Sequence, residues 1–140
     1  HDALPISIVF EGCPADDTAE TPEMIQSAMG KGPMLRYFDV SMITNPEFQE
    51  YALEIAKINK IPVQVSVRSG GGTNGMAITQ VQGAPTIVVG IPVRYAHTPH
   101  CYVDFQDYQA AKELVIQLIK NLDADKIQAL VQPLSKEWNK

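Results

Sequence analysis

Cysteine is scarce in this chain: of its 140 residues only Cys13 and Cys101 carry a thiol. Two thiols so far apart exclude the disulfide framework of a small secreted domain and point to a reducing, cytoplasmic setting. Basic charge is short as well, with 11 Lys and Arg against 16 Asp and Glu, a formal net charge of −5 and a pI of about 5.1. Nucleic acid and anionic membrane surfaces both require a basic patch, so neither is expected as a partner. Long apolar runs are missing too. The longest, such as Thr86 to Val93, fall far short of the ~20 residues of a membrane span. No charged n-region followed by an apolar h-region opens the chain, so no export signal is expected. Internal repeats and low-complexity stretches are also absent.

What is present is a globular composition. Hydrophobic residues make up 45% of the chain, and 140 residues at 15.4 kDa suffice for one domain with a core of its own. The chain opens on His1 rather than Met, and Ile6 to Phe10 already reads as a buried strand with no slack before it. This start predicts the later part of a longer protein or of a cleaved one; His1 and Asp2 carry no strand or helix pattern.

Apolar, β-branched runs alternate with helical periodicity. Strands are expected over Pro5 to Glu11, Met34 to Phe38, Pro62 to Val67 (with Val63, Val65 and Val67 alternating) and Pro85 to Ile91, the last with the continuous apolar character of a strand covered on both faces. A polar loop from Gly12 to Pro33 lies between the first two, a length that inside a compact domain is often functional. Asn45-Pro46 starts a helix carrying Phe48, Tyr51, Ala52, Ile55 and Ile58, and Met76 to Val81 forms a short one. A longer amphipathic helix runs from Asp104 to Leu122, with Tyr108, Ala111, Leu114, Val115, Leu118 and Ile119 on its apolar line. The tail, 123–140, has Ile127, Leu130, Val131 and Leu134 at helical spacing, interrupted by Pro133. Such alternation predicts an α/β sheet with helices on its faces.

In open α/β sheets working residues gather beyond the carboxyl ends of strands. Three segments qualify: Glu11, the loop Ser69 to Gly75 and His97. A carboxylate directly after an apolar strand needs a cation or hydrogen-bond donors; Glu11 is either a strand-end acid in water or an ion pair, or a ligand. His97, before Thr98-Pro99, faces a cleft or caps a surface turn, and one imidazole with one carboxylate can belong to a divalent metal site without completing it. His100 and Cys101 follow His97 closely, yet no second cluster completes a structural zinc site. Cys13 reads as a small buried residue. Asp104 and Asp107 read as a helix cap and a first-turn acid. The glycines at 70–75 lack both the P-loop ending and dinucleotide spacing, and read as a tight turn that lets backbone approach a neighbour.

Five blocks stand in a fixed order: Glu11 to Thr18 (EGCPADDT), Gly30 to Pro33 (GKGP), Gly71 to Asn74 (GGTN), Gly83 to Thr86 (GAPT) and Pro92 to Pro99 (PVRYAHTP). Together they resemble the later part of the catalytic domain of tetrahedral (TET-type) dinuclear metallo-aminopeptidases, the glutamyl or deblocking aminopeptidases formerly described as cellulases. The resemblance runs from about Ile6 to Leu122, and its most specific element is Arg-Tyr-x-His-(Ser/Thr)-Pro at Arg94 to Pro99. It implies a three-layer α/β/α sandwich of the zinc-peptidase (phosphorylase/hydrolase-like) type, here incomplete, with 1–122 as catalytic domain and 123–140 as helical tail. It implies two divalent metal ions, Zn or Co, with Glu11 on one and His97 on the other. The remaining ligands, the general-base Glu and an inserted β-rich domain would lie upstream. It further implies Gly70, Gly71 and Gly72 along the cleft, Arg94 and Tyr95 at the cleft or holding the loop of His97, a peptide substrate, and a homo-oligomer, by family a dodecamer. One departure is Asn74, where the family more often has Asp.

Two other functions stay open at this stage. The fragment can be a non-catalytic or assembly module of such an enzyme, since the base and several ligands are expected elsewhere. A glycoside hydrolase would need two opposed carboxylates about 5–10 Å apart, and Glu11 has only Asp16 or Asp17 to offer.

Overall fold

The structure, a computed structural model, describes residues 6–131. A mixed sheet organises them. Strand β1 (Ser7–Pro14) pairs in parallel with β4 (Thr86–Arg94), and β2 (Met34–Phe38) pairs antiparallel with β4 and in parallel with β3 (Gln64–Val67). The order is β1-β4-β2-β3, and a two-residue strand β5 (Tyr102–Val103) adds antiparallel to the far end of β4. Helices α1 (Pro46–Ile58), α3 (Phe105–Asn121) and α4 (Ala124–Val131) contribute to one core with the sheet, while α2 (Gly75–Gln82) packs on β1 and β4. This mixed α/β sheet with helices agrees with the expected fold class.

Side-chain alternation along the strands divides the two faces. Leu35, Ile87 and Val89 join Phe48, Ala52, Ile55, Ala111, Leu114 and Leu118 in the main core. One residue along each strand, Val9 and Val88 meet Met42 and Ile78 of α2 in a smaller cluster. On that second side the sheet continues into Glu11, Cys13 and Arg36, where the cavity described below lies.

Local signals account for the helix starts. The Asn45 side chain accepts the amide of Phe48 at 2.9 Å, with Pro46 in the first turn where its missing N–H costs nothing. Asp104 does the same for α3, accepting from Gln106 N at 2.7 Å. Gly83, at φ 65°, ends α2 in the left-handed conformation.

Several boundaries differ from the expected ones, each for a physical reason. Strand β1 runs on to Pro14, because Gly12, Cys13 and Pro14 continue the ladder against Ile91, Pro92 and Val93. Glu11 therefore sits inside the strand, opposite Gly90, and the loop expected from Gly12 begins only at Ala15. Strand β4 likewise extends to Arg94. Strand β3 begins at Gln64, and Val65 and Val67 are half-exposed on a sheet edge instead of buried. On α3, Tyr108 and Ile119 are exposed, and the fully buried first-turn residue is Asp107. Its carboxylate does more than face a helix dipole: it accepts Gly30 N and Gly32 N, both at 2.7 Å. Gly32 has to be glycine there, at φ 88° with a Cβ position 2.2 Å from the carbonyl oxygen of Pro62.

The helical tail expected over 123–140 is α4 as far as it is described, and Leu130 packs into the main core. The expected strand start at Pro5, His1-Asp2, and the tail positions Pro133 and Leu134 lie outside the described residues.

Candidate active site

A cavity of about 680 Å³ opens on the sheet side away from α1 and α3. Glu11, Cys13 and Arg36 line it from the sheet, Arg68 to Gly72 and Asn74 from the loop after β3, and His97 from the turn after β4. Residues far apart in the chain are thus gathered because β1 and β4 are parallel neighbours and their carboxyl ends lie side by side.

Glu11 is partly buried, and one of its carboxylate oxygens accepts the backbone N–H of Asn74 at 2.5 Å. It is the one carboxylate on the cavity wall among the described residues. Beside it Cys13 is fully buried; burial pushes its thiol pKa up, and the neighbouring Arg36 guanidinium only partly offsets this. Gly90 makes that packing possible, since a Cβ there would fall 2.5 Å from Cys13 Sγ.

At the cavity floor Arg36, only 4% exposed, pairs with the fully buried Asp39 at 3.1 Å. Asp39 also accepts Ser41 N and Met42 N at 2.8 and 3.0 Å. Burial alone would raise its pKa, but these donors and Arg36 outweigh it and hold the carboxyl low. On one wall Arg68 bonds Asp16 at 3.0 Å and the Pro14 carbonyl at 2.7 Å. Asp16 also accepts Ser27 N at 2.9 Å, and its pKa is lowered on balance, burial again opposing. Gly70 and Gly71 leave open space on the cavity side, while Gly72 is packed on Ser41.

On the other wall His97 is exposed in a turn where both it and Tyr95 have left-handed backbone, at φ 63° and 59°. Arg94 lies off the cavity wall and grips Asp17 with two bonds, Nε at 3.0 Å and Nη2 at 2.7 Å. Those bonds, more than any other influence, hold the Asp17 carboxyl below its usual range. Tyr95 also lies off the wall, edge-on to Tyr102 with ring centroids 5.9 Å apart.

Of the residues singled out in the sequence, Glu11, Gly70, Gly71, Gly72 and His97 therefore share one cavity, whereas Arg94 and Tyr95 do not reach it. Among the described residues no three or more His, Cys, Asp or Glu side chains form a group that could by itself hold a metal ion. Cys101 is exposed and free. The three Asp–Arg pairs were not foreseen. For two of them the signal was the Asp-Asp step in the first loop, and for the third the local Arg36–Asp39 spacing, which become informative only once the chain is folded.

This fold is shared with a class of solved aminopeptidases. The TET aminopeptidase of Thaumarchaeota archaeon SCGC AB-539-E09 superposes with a TM-score of 0.85 at 35% identity, covering 90% of this chain and 36% of that one. A family model for M42 glutamyl aminopeptidases matches residues 3–114, and the chain belongs to that family. A putative aminopeptidase of Acetivibrio thermocellus is 33% identical over 105 residues, 73% of this chain and 32% of its own length. The lysyl aminopeptidase of Pyrococcus furiosus is 31% identical over 122 residues, 85% of this chain and 33% of its own. The chain thus spans about a third of the length of these curated relatives.

Proposed function

We propose that the complete protein is a metal-dependent aminopeptidase that removes N-terminal residues from peptides, and that this chain supplies one ligand to each of two divalent ions. The observation that carries the reading is the meeting of Glu11 and His97, far apart in the chain, in one cavity beside the carboxyl-terminal halves of β1 and β4. Their donor chemistry fits: a carboxylate oxygen and an imidazole nitrogen suit Zn or Co alike. Such ions, when bound, polarise a peptide carbonyl and bring a water's pKa from about 15.7 toward roughly 7.

The chain's own residues have simpler tasks. The Asn74 amide holds one Glu11 oxygen and leaves the other for the cavity. The open backbone at Gly70 and Gly71 lets an extended peptide approach closely. With Glu11 as ligand no cavity carboxylate is left among the described residues to act as base, so the reading expects the base from the rest of the protein and no activity from the 140-residue chain alone. The same count disfavours a glycoside hydrolase, because Asp16 and Asp17 are engaged with Arg68 and Arg94. Both cysteines are free thiols, which supports a cytoplasmic location. No helix of the described residues is long and apolar enough to cross a membrane. The exposed aromatic surface of Tyr95, Tyr102, Phe105 and Tyr108 supports homo-oligomer formation.

The test is hydrolysis by the complete protein of peptides with free and with blocked N-termini, before and after a chelator. Cleavage of free N-termini that stops with the chelator, returns with Zn or Co and is lost in Glu11→Gln and His97→Ala supports the reading. Chelator-resistant cleavage, or no loss in those variants, overturns it.

A further inference from the structure

We propose that the neighbouring carboxylates of Asp16 and Asp17 set the width of the cavity by holding its two walls separately, Asp16 through Arg68 and Asp17 through Arg94. This deepens the reading above and rests on it only for its consequence on cation binding.

The two acids are adjacent in sequence but face different partners. Asp16 takes Ser27 N and Arg68 Nη1, and the same guanidinium reaches Ser27 Oγ at 2.6 Å and the Pro14 carbonyl at 2.7 Å. Arg68 leads directly into Ser69 to Gly72, so that wall hangs from Asp16 and the end of β1. Asp17 takes both Arg94 bonds and also Met29 N at 3.0 Å. Arg94 ends β4 and leads into the turn that carries His97.

That turn needs a hold. Two non-glycine residues in left-handed backbone cost roughly 1 kcal/mol each or more, and such a turn relaxes unless its ends are fixed. The Thr98 hydroxyl fixes the far end, 2.7 Å from the Tyr95 carbonyl and 2.8 Å from that of His100. The two-bond fork of Arg94 on Asp17 fixes the near end, a geometry a lysine cannot reproduce. Asp16 and Asp17 are positioning residues: neither lines the cavity. Both carboxyls are held in the charged form by these partners, which keeps both anchors engaged at neutral pH.

Backbone amide chemical shifts of the 15N-labelled chain, read in Asp16→Asn and Asp17→Asn, test the division. Asp17→Asn is expected to move the amides of Tyr95 to Thr98 and leave Ser69 to Asn74 in place; Asp16→Asn is expected to do the reverse. A variant that leaves its own wall unmoved, or moves both walls alike, overturns the proposal. Where an Asn variant fails to fold, Arg94→Lys and Arg68→Lys keep the charge, remove the fork and carry the same expectation. In the complete protein, Asp17→Asn is expected to weaken cobalt(II) binding by less than the ~10–100-fold of losing a direct hydrogen-bond partner of a ligand, because Asp17 acts on His97 only through Arg94 and the turn. No cobalt uptake by the wild type, with the two walls still responding separately, sinks the metal reading and leaves this one standing. Tight cobalt binding with unresponsive walls does the opposite.

Discussion

Toward α1 and α3 the sheet presents Leu35, Ile87 and Val89, and the helices meet them with Phe48, Ala52, Leu114 and Leu118, all fully buried. Toward the cavity the same strands present Glu11, Cys13 and Arg36, and their surroundings are carboxylates, amides and guanidinium groups. Arg36, Arg68 and Arg94 are the only arginines in the sequence, and each sits on an aspartate around the cavity. Apolar packing is non-directional and scales with buried area. Ion pairs in a partly dry site are directional, and removing one partner leaves the other uncompensated. One face thus supplies stability and the other supplies shape.

The sharpest test of that contrast is Phe48→Ala, which leaves a cavity on the helical face and is expected to cost about 3–5 kcal/mol in denaturant unfolding. A variant as stable as the wild type would break the comparison at its stronger end. Asp39→Asn strands a buried guanidinium and is expected to cost about 3 kcal/mol, whereas the double change Arg36→Met with Asp39→Asn, which keeps an acceptor for Ser41 N and Met42 N, recovers most of it. If the double variant is as damaged as the single one, the pair supports the fold as well as the cavity.

Acid acts on the polar face. Asp16, Asp17 and Asp39 all have folded pKa values held low, while an unfolded Asp binds its proton near pH 3.9. Below about pH 5 the unfolded chain takes up protons first, so stability is full above that range and declines as pH drops through the lowered folded values. The midpoint of urea unfolding is expected to hold from pH 7 to about 5 and fall below it, less steeply in Asp17→Asn. The smallest effect is chemical: a thiol reagent at neutral pH labels Cys101 in the folded chain and reaches Cys13 only after unfolding. Prompt labelling of both would mean that the cavity floor opens readily.

Legibility in the sequence followed the same division. Helical spacing at Phe48, Ala52, Ile55, Leu114 and Leu118 and the apolar run at Ile87 to Val89 located the main core, because hydrophobic burial repeats with the period of the element. Asn45-Pro46 and Asp104 announced their helices because capping is local. The exposure of Val65 and Val67 was invisible, since a strand at a sheet edge has the same alternation as one inside. Glu11 and His97 were named through the order of five short blocks, and spacing alone left each with an ordinary reading. Asp16, Asp17 and Asp107 escaped because their partners lie far along the chain: Arg68, Arg94 and the backbone of Gly30 and Gly32. No periodicity encodes a contact of that kind.

If His97 is the ligand proposed above, the left-handed backbone there sets function against the fold's own preference. Glycine would adopt that φ without the Cβ conflict that histidine carries, a relief of roughly 1 kcal/mol. His97→Gly is therefore expected to melt higher than the wild type while losing the imidazole from the cavity. Design for stability alone would favour that change, and selection for the proposed activity would remove it. A histidine retained at this position across relatives would measure how much stability natural selection gives up to keep a nitrogen at the mouth of the cleft.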